Sequence, residues 1–280
     1  MKKIFLSFLS LFMILLFVSC KGNNKVPFST LVYGRYPKTR INDKEIIAKL
    51  DTFNDSNLND DGYFVIDGVE YYKSTSGETT DVYTFEDGTH IRPNRAYYYL
   101  VEPISWRIMK SDDNYNYLIT EQVIDCKKYV ENKDDDISYD TSLARKFLIN
   151  DFYSVAFTNE NNKPEKTEIN IVKTDGTEVT LNDEIWLPAA DDMDNPALTF
   201  ATEDDAYARS TDFTLSKAIP FNYDGPNSYY FKCSPFVTST IADEDLHSMY
   251  YVSEIGLING TNSVITLQNI GIRPCIRLKK

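Results

Sequence analysis

Three times along this chain a run of aromatic and β-branched residues breaks at Asp-Gly or Asn-Gly and then resumes. These dipeptides adopt positive φ readily, so each turns the chain back and makes its flanking runs antiparallel neighbours. The first hairpin reads Tyr63-Phe64-Val65-Ile66, turn Asp67-Gly68, then Val69-Glu70-Tyr71-Tyr72. The second covers residues 169–181 around Asp175-Gly176, and the third joins residues 250–258 to 263–268 through Asn259-Gly260. Residues 96–101, 104–109 and 115–120 are also strand-like. With 20 tyrosines and an aromatic content of 14%, the chain has the side chains that favour strands and a packed core.

One helix is predicted after Asp140-Thr141-Ser142, whose side-chain oxygens can cap it. Ala144, Leu148, Phe152 and Val155 then recur on one face, widened by Leu143 and Phe147. Shorter helices are expected over residues 42–50 and 243–247. Antiparallel strands with a few helices packed on them make an α+β, β-rich fold.

The first 19 residues are expected to lie outside that fold. Lys2 and Lys3 precede an apolar run over residues 4–18. As a helix this run would reach about 22 Å, short of the ~30 Å hydrocarbon core of a membrane. It reads as a signal-peptide core. The junction Phe17-Val18-Ser19-Cys20 resembles a bacterial lipobox, with Phe17 where Leu is usual. Cys20 is therefore expected to carry the lipid, and residues 20–28, with the polar Lys21-Gly22-Asn23-Asn24-Lys25, to form a tether. Each buried methylene adds about 0.8 kcal/mol, so several acyl chains hold a protein stably at a membrane. Residues 29–280 are expected to form one domain outside the cytoplasm, in the cell envelope.

Losing Lys2 and Lys3 takes the formal charge from −13 to −15. Such a surface repels nucleic acid, so no nucleic-acid partner is expected. Beyond Cys20 the cysteines are Cys126, Cys233 and Cys275. Outside the cytoplasm they allow one disulfide and a free thiol, or three buried thiols. Their spacing and that of His90 and His247 match no zinc motif, and neither a metal nor a cofactor is expected.

Further residues carry a resemblance. Val32-Tyr33-Gly34-Arg35-Tyr36-Pro37-Lys38-Thr39 resembles the opening signature of an uncharacterised bacterial family, domain of unknown function 6273. In order there follow Pro103-Ile104-Ser105-Trp106, the Ile124-Asp125 strand ending, and the helix motif Ser142-Leu143-Ala144-Arg145 to Asn150. Tyr230-Phe231-Lys232-Cys233-Ser234-Pro235 and Gly271-Ile272-Arg273-Pro274-Cys275 complete the series. The likeness spans residues 31–278, and its late pattern is similar to C-type-lectin-type folds, which present loops for binding. Cys233 and Cys275 both replace other residues of the family pattern. The paired replacement implies neighbouring segments and a possible Cys233–Cys275 disulfide, with Cys126 left over.

The candidate sites are few. Asn57 to Gly62 has the alternating oxygens of a calcium loop, but Gly68 stands where its twelfth-position acid belongs, so a turn is preferred. The acidic runs Asp134-Asp135-Asp136 and Asp191-Asp192 read as solvated loop. Tyr97, Tyr98 and Tyr99, with Tyr250 and Tyr251, could stack on sugar rings, although alternation in a strand sends some rings into the core. His90 and His247 have no nucleophile at a recognisable spacing. Trp106 and Trp186 are expected in the core, with Arg273 holding a buried carboxylate or backbone carbonyls. The reading is a non-catalytic envelope lipoprotein binding an unknown ligand, carbohydrate or protein, through a lectin-like domain. Its alternatives are an exported enzyme, acting on glycans or using the Cys233–Cys275 pair, and a structural component of the envelope.

Overall fold

A computed structural model describes residues 28–78, 82–132, 135–242, 248–260 and 269–280. The strands are β1 (Thr30–Arg40), β2 (Phe64–Ile66), β3 (Val69–Thr75), β4 (Ala96–Ser111), β5 (Tyr115–Thr120), β6 (Asp125–Lys127), β7 (Thr167–Val172), β8 (Glu178–Asp183), β9 (Ile185–Trp186), β10 (Phe236–Ile241), β11 (Met249–Val252), β12 (Ile258–Gly260), β13 (Ile270–Ile272) and β14 (Cys275–Lys279). The α-helices are α1 (Lys44–Leu50), α2 (Leu143–Phe147), α3 (Tyr153–Ala156), α4 (Glu203–Ala206) and α5 (Asp212–Leu215). The fold is α+β and β-rich, as its turn chemistry predicts. Among the described residues no helix is long and apolar enough to cross a membrane.

The seven-stranded sheet runs β2-β3-β4-β5-β14-β9, with β1 paired to β4 as well. This branching is possible because β4 is 16 residues long. Its first half pairs with β3 (Tyr99↔Tyr72) and its second with β5 (Trp106↔Thr120), while β1 overlaps both stretches (Arg40↔Tyr99, Leu31↔Trp106) and so holds the opposite edge. Strands from both ends of the chain, β1 and β14, thus share one sheet. A five-stranded sheet runs β12-β11-β10-β13-β6, parallel only at β10–β13. β7 and β8 form a separate hairpin.

Two of the family-like motifs make a single device. Opposite Ile104, the register of β1 slips between Val32 and Arg35, so Tyr33 and Gly34 face one residue of β4. Such a bulge needs a residue that accepts positive φ, and Gly34 sits at +67°. Pro103, which has no N–H to give, lies opposite Arg35. The fully buried Trp106 donates its indole Nε1–H to the Tyr33 carbonyl at 2.7 Å. Two residues beyond the bulge, the Tyr36 hydroxyl donates to the buried Asp125 carboxylate at 2.7 Å. Lys217 Nζ and the Cys126 N–H donate to its other oxygen, at 2.5 Å and 2.7 Å.

The predicted helix forms with Ser142 as its cap, accepting from the Arg145 N–H at 3.1 Å. A π-helical stretch, Leu148–Phe152, separates α2 from α3. The buried face is Ala144, Phe147, Leu148, Phe152 and Ala156, whereas Val155 is only half-buried. Arg273 is fully buried and donates Nε to the Thr120 carbonyl at 2.8 Å and Nη1 to that of Ala206 at 2.7 Å. It holds backbone carbonyls, the second of its two expected roles.

Two expectations are corrected. The third hairpin turns at residues 253–257, where Gly256 has φ +90° and the Ser253 N–H donates to the Leu257 carbonyl at 2.8 Å. Asn259 is drawn into β12 by pairing with Tyr251, and Gly260 by pairing with Tyr250. Of that expectation, residues 263–268 lie outside the described residues, as do the predicted helix over residues 243–247 and Cys20. The Cys233–Cys275 bridge is absent: Cys126, Cys233 and Cys275 are buried free thiols. Cys275 is fixed in β14 between Ile119 and Trp186. Cys233 belongs to a turn that closes on the Tyr230 carbonyl, and it bridges to Arg209. The two segments do meet around Arg273, whose charge acts on both thiols.

Candidate functional site

The tyrosine run of β4 is divided between two cores. Tyr99 is fully buried in the main core, edge-on to Phe213 with ring centroids 5.3 Å apart. Tyr98 points the other way, where alternation alone would leave it in solvent. There a second cluster of Leu50, Phe64, Ile66 and Tyr71 covers it, and its hydroxyl donates to Asp51 Oδ1 at 2.9 Å. Tyr97 is half-buried, packed edge-on against Phe85 with centroids 5.0 Å apart. Tyr250 and Tyr251 are half-buried on β11, away from both clefts described below.

A groove of about 870 Å³ opens where the end of β1, the start of α1 and residues 89–98 meet. Tyr97 and Tyr98 line it together with Arg40, Lys44, Arg92 and Arg95, and Asp51 is the one carboxylate residue of the lining. Arg40 is held in place: Nη2 pairs with Asp87 at 2.8 Å and the guanidinium carbon lies 4.3 Å from the centre of the Phe85 ring. Its buried Nε has no hydrogen-bond partner. Asp212 ties the end of β1 to the chain just before the groove's other wall, accepting from the Arg40 N–H at 3.1 Å and the Glu86 N–H at 2.8 Å. Burial pushes the Asp212 carboxyl above its ordinary range.

A second cleft, of about 670 Å³, lies between the β7–β8 hairpin and the edge of the large sheet. Trp186, Tyr117, Lys110, Arg277 and Asp192 are among its walls. Trp186 belongs to the main hydrophobic core, as expected, and shows only an edge to this cleft, with 7% of it exposed. Burial raises the Asp192 carboxyl. Its Oδ2 closes a turn by accepting from the Ala189 N–H at 2.9 Å.

The other candidates fall to structural roles or stay open. In the calcium-like loop, Asn59 Oδ1 accepts from the Asp61 and Tyr63 N–H groups, and Asp61 pairs with Arg35 at 2.5 Å. Among the described residues no cluster of three or more His, Cys, Asp or Glu side chains is placed to hold a metal ion. His90 is exposed on the groove wall, whereas His247 and Asp134 lie outside the described residues. Arg92 and Arg95 match no motif; the signal they offer in sequence is two arginines flanking Pro93-Asn94 in an acidic chain. Tyr223 and Tyr229, 59% and 58% exposed, are also more open than any tyrosine named from sequence.

The comparisons with known proteins divide the molecule differently. The family described as Domain of unknown function (DUF6273) matches residues 113–280, more than half of the chain. The chain belongs to that family. The matched segment holds most of the second cleft's walls, the late Ser-Pro motif and the closing Arg273-Pro274. The bulge motifs of β1 and β4 and the whole basic groove precede it. No curated protein and no solved structure matches the chain.

Proposed function

We propose that the chain is an envelope lipoprotein, anchored through Cys20, whose lectin-like domain binds a ligand at the groove beside Tyr97 and does no chemistry on it. The observation that carries this reading is the groove itself. Its volume is within the roughly 300–1,000 Å³ typical of ligand sites, and it joins apolar walls to a few charged side chains. Two of the five tyrosines singled out in the sequence, Tyr97 and Tyr98, line it. For the anchor, the support is the apolar run ending at Ser19-Cys20 and the polar tether that follows.

Two measurements test the two halves. Cys20→Ser is expected to move the protein from the detergent phase of fractionated cells to the aqueous phase; continued partition into detergent would falsify the anchor. For the groove, the full chain is screened against panels of oligosaccharides and peptides. Any saturable ligand is expected to be lost in Ala96→Trp, which fills the groove from its exposed wall. A ligand that survives this substitution binds elsewhere, and a chain that binds nothing in either panel ends the binding reading.

A further inference from the structure

The groove is basic on an acidic molecule. Four cationic residues line it against one carboxylate, while the chain as a whole has a formal charge of −13. Like charges gathered in a cleft with low-dielectric walls focus the potential on whatever enters. Arg40 has Asp87 as its partner. Among the described residues, Lys44, Arg92 and Arg95 make no ion pair.

The turn that carries the two arginines is held from beneath. Ser76 is 3% exposed; its hydroxyl donates to the Arg92 carbonyl at 2.6 Å and accepts from the Arg95 N–H at 3.0 Å. Its own N–H donates to the Arg95 carbonyl at 2.9 Å. The Tyr97 hydroxyl accepts from the Arg92 N–H at 3.0 Å. Between the arginines, Pro93 fixes one φ and Asn94 takes +52°. A backbone held in this way has less freedom to lose when a ligand arrives.

We propose that the groove takes an acidic saccharide, one whose sugar rings carry carboxylate or phosphate groups. This rests on the binding reading above and names its ligand class. Guanidinium groups meet planar oxyanions with paired hydrogen bonds, and Arg92 and Arg95 present two of them from one pinned turn. Arg40 adds a third guanidinium to the lining, its Nη2 already paired with Asp87. Asn42, Asn94 and Thr89 supply amide and hydroxyl groups that suit sugar hydroxyls. The volume exceeds what a lone phosphate fills, and the site is a concavity, whereas a charged membrane surface calls for protruding cations.

The test is calorimetry on the full chain in a neutral detergent. The probes are a galacturonic acid trimer, a mannose trimer ending in a 6-phosphate, and their neutral galactose and mannose parents. At least one acidic trimer is expected to bind tenfold or more tightly than its parent and to weaken as salt rises from 50 to 500 mM. Arg92→Ala and Arg95→Ala, both at exposed positions, are expected to cost it tenfold each, with Arg92→Lys keeping part of the affinity. Equal binding of acid and neutral parent overturns the acidic class while leaving the binding reading intact. Binding that both alanine variants retain overturns the site. Indifference to all four sugars, with retention on phosphatidylglycerol vesicles or saturable binding of inorganic phosphate, overturns the saccharide.

Discussion

At the scale of single residues, the thiols decide one question of chemistry. Burial pushes the Cys126 and Cys233 thiols up to about 12 and Cys275 well above the usual thiol range. The thiolate is the reactive form, so these cysteines are inert packing groups at neutral pH. In the Cys20→Ser chain, a disulfide-exchange reagent at pH 8 is expected to modify none of them over minutes, and all three at once in denaturant without reductant. A single reactive thiol under denaturing conditions would mean that two cysteines are bridged after all. The same buried neighbourhood contains Arg273, whose two carbonyl contacts join β5 and α4 beside Cys233 and Cys275. The family-like pattern brought those segments together correctly, but proximity alone does not create the geometry a disulfide requires.

Among the elements, the bulge on β1 shows what its motif is for. A Cβ on Gly34 would stand 2.7 Å from the Phe157 ring and 2.9 Å from the Ala156 carbonyl, with φ at +67°. Gly34→Ala is therefore expected to lower stability by on the order of 2 kcal/mol or more, read as a shifted urea midpoint with unchanged slope. Gly176→Ala shares the positive φ, +81°, with nothing within 4 Å, so it should cost only about 1 kcal/mol. Equal losses in the two variants would refute the packing argument. These local devices also mark where the sequence was readable. The β2–β3 and β7–β8 hairpins and the Ser142-capped helix announce themselves because their signals lie within a few residues. β4 looks like two strands because Pro103 interrupts it, and only β1, seventy residues earlier in the chain, supplies the bulge that accommodates the proline. Asn259-Gly260 carries turn chemistry, yet pairing with β11 overrides it. The groove was half legible for the same reason. Tyr97 and Tyr98 attract notice as a run, whereas the meaning of Arg92 and Arg95 depends on Arg40 and Lys44, which only the fold brings alongside.

On the whole-molecule scale, the tyrosine content that points to a β-rich fold also sets an alkaline limit. Tyr36, Tyr129, Tyr63, Tyr99 and Tyr139 all have phenols raised above the ordinary 10.0, in each case chiefly by burial. Below pH 10 folded and unfolded chains both keep these protons. As the pH climbs further, the unfolded chain releases protons that the folded one retains, so the folded state holds more and stability falls. The denaturant midpoint is expected to decline steadily from pH 10 upwards, and a midpoint unchanged to pH 12 would show that burial does not hold the phenols. The branching at β4 has another consequence, one of mechanics. β1 begins at Thr30, opposite Arg107, and reaches the groove at Arg40, opposite Tyr99. Its 11 residues span on the order of 35 Å. In a chain held by its N-terminus and pulled by a ligand on the turn before β4, tension would enter these antiparallel neighbours from opposite ends. The ladder would then be loaded in shear, its rungs bearing the force together instead of parting one after another.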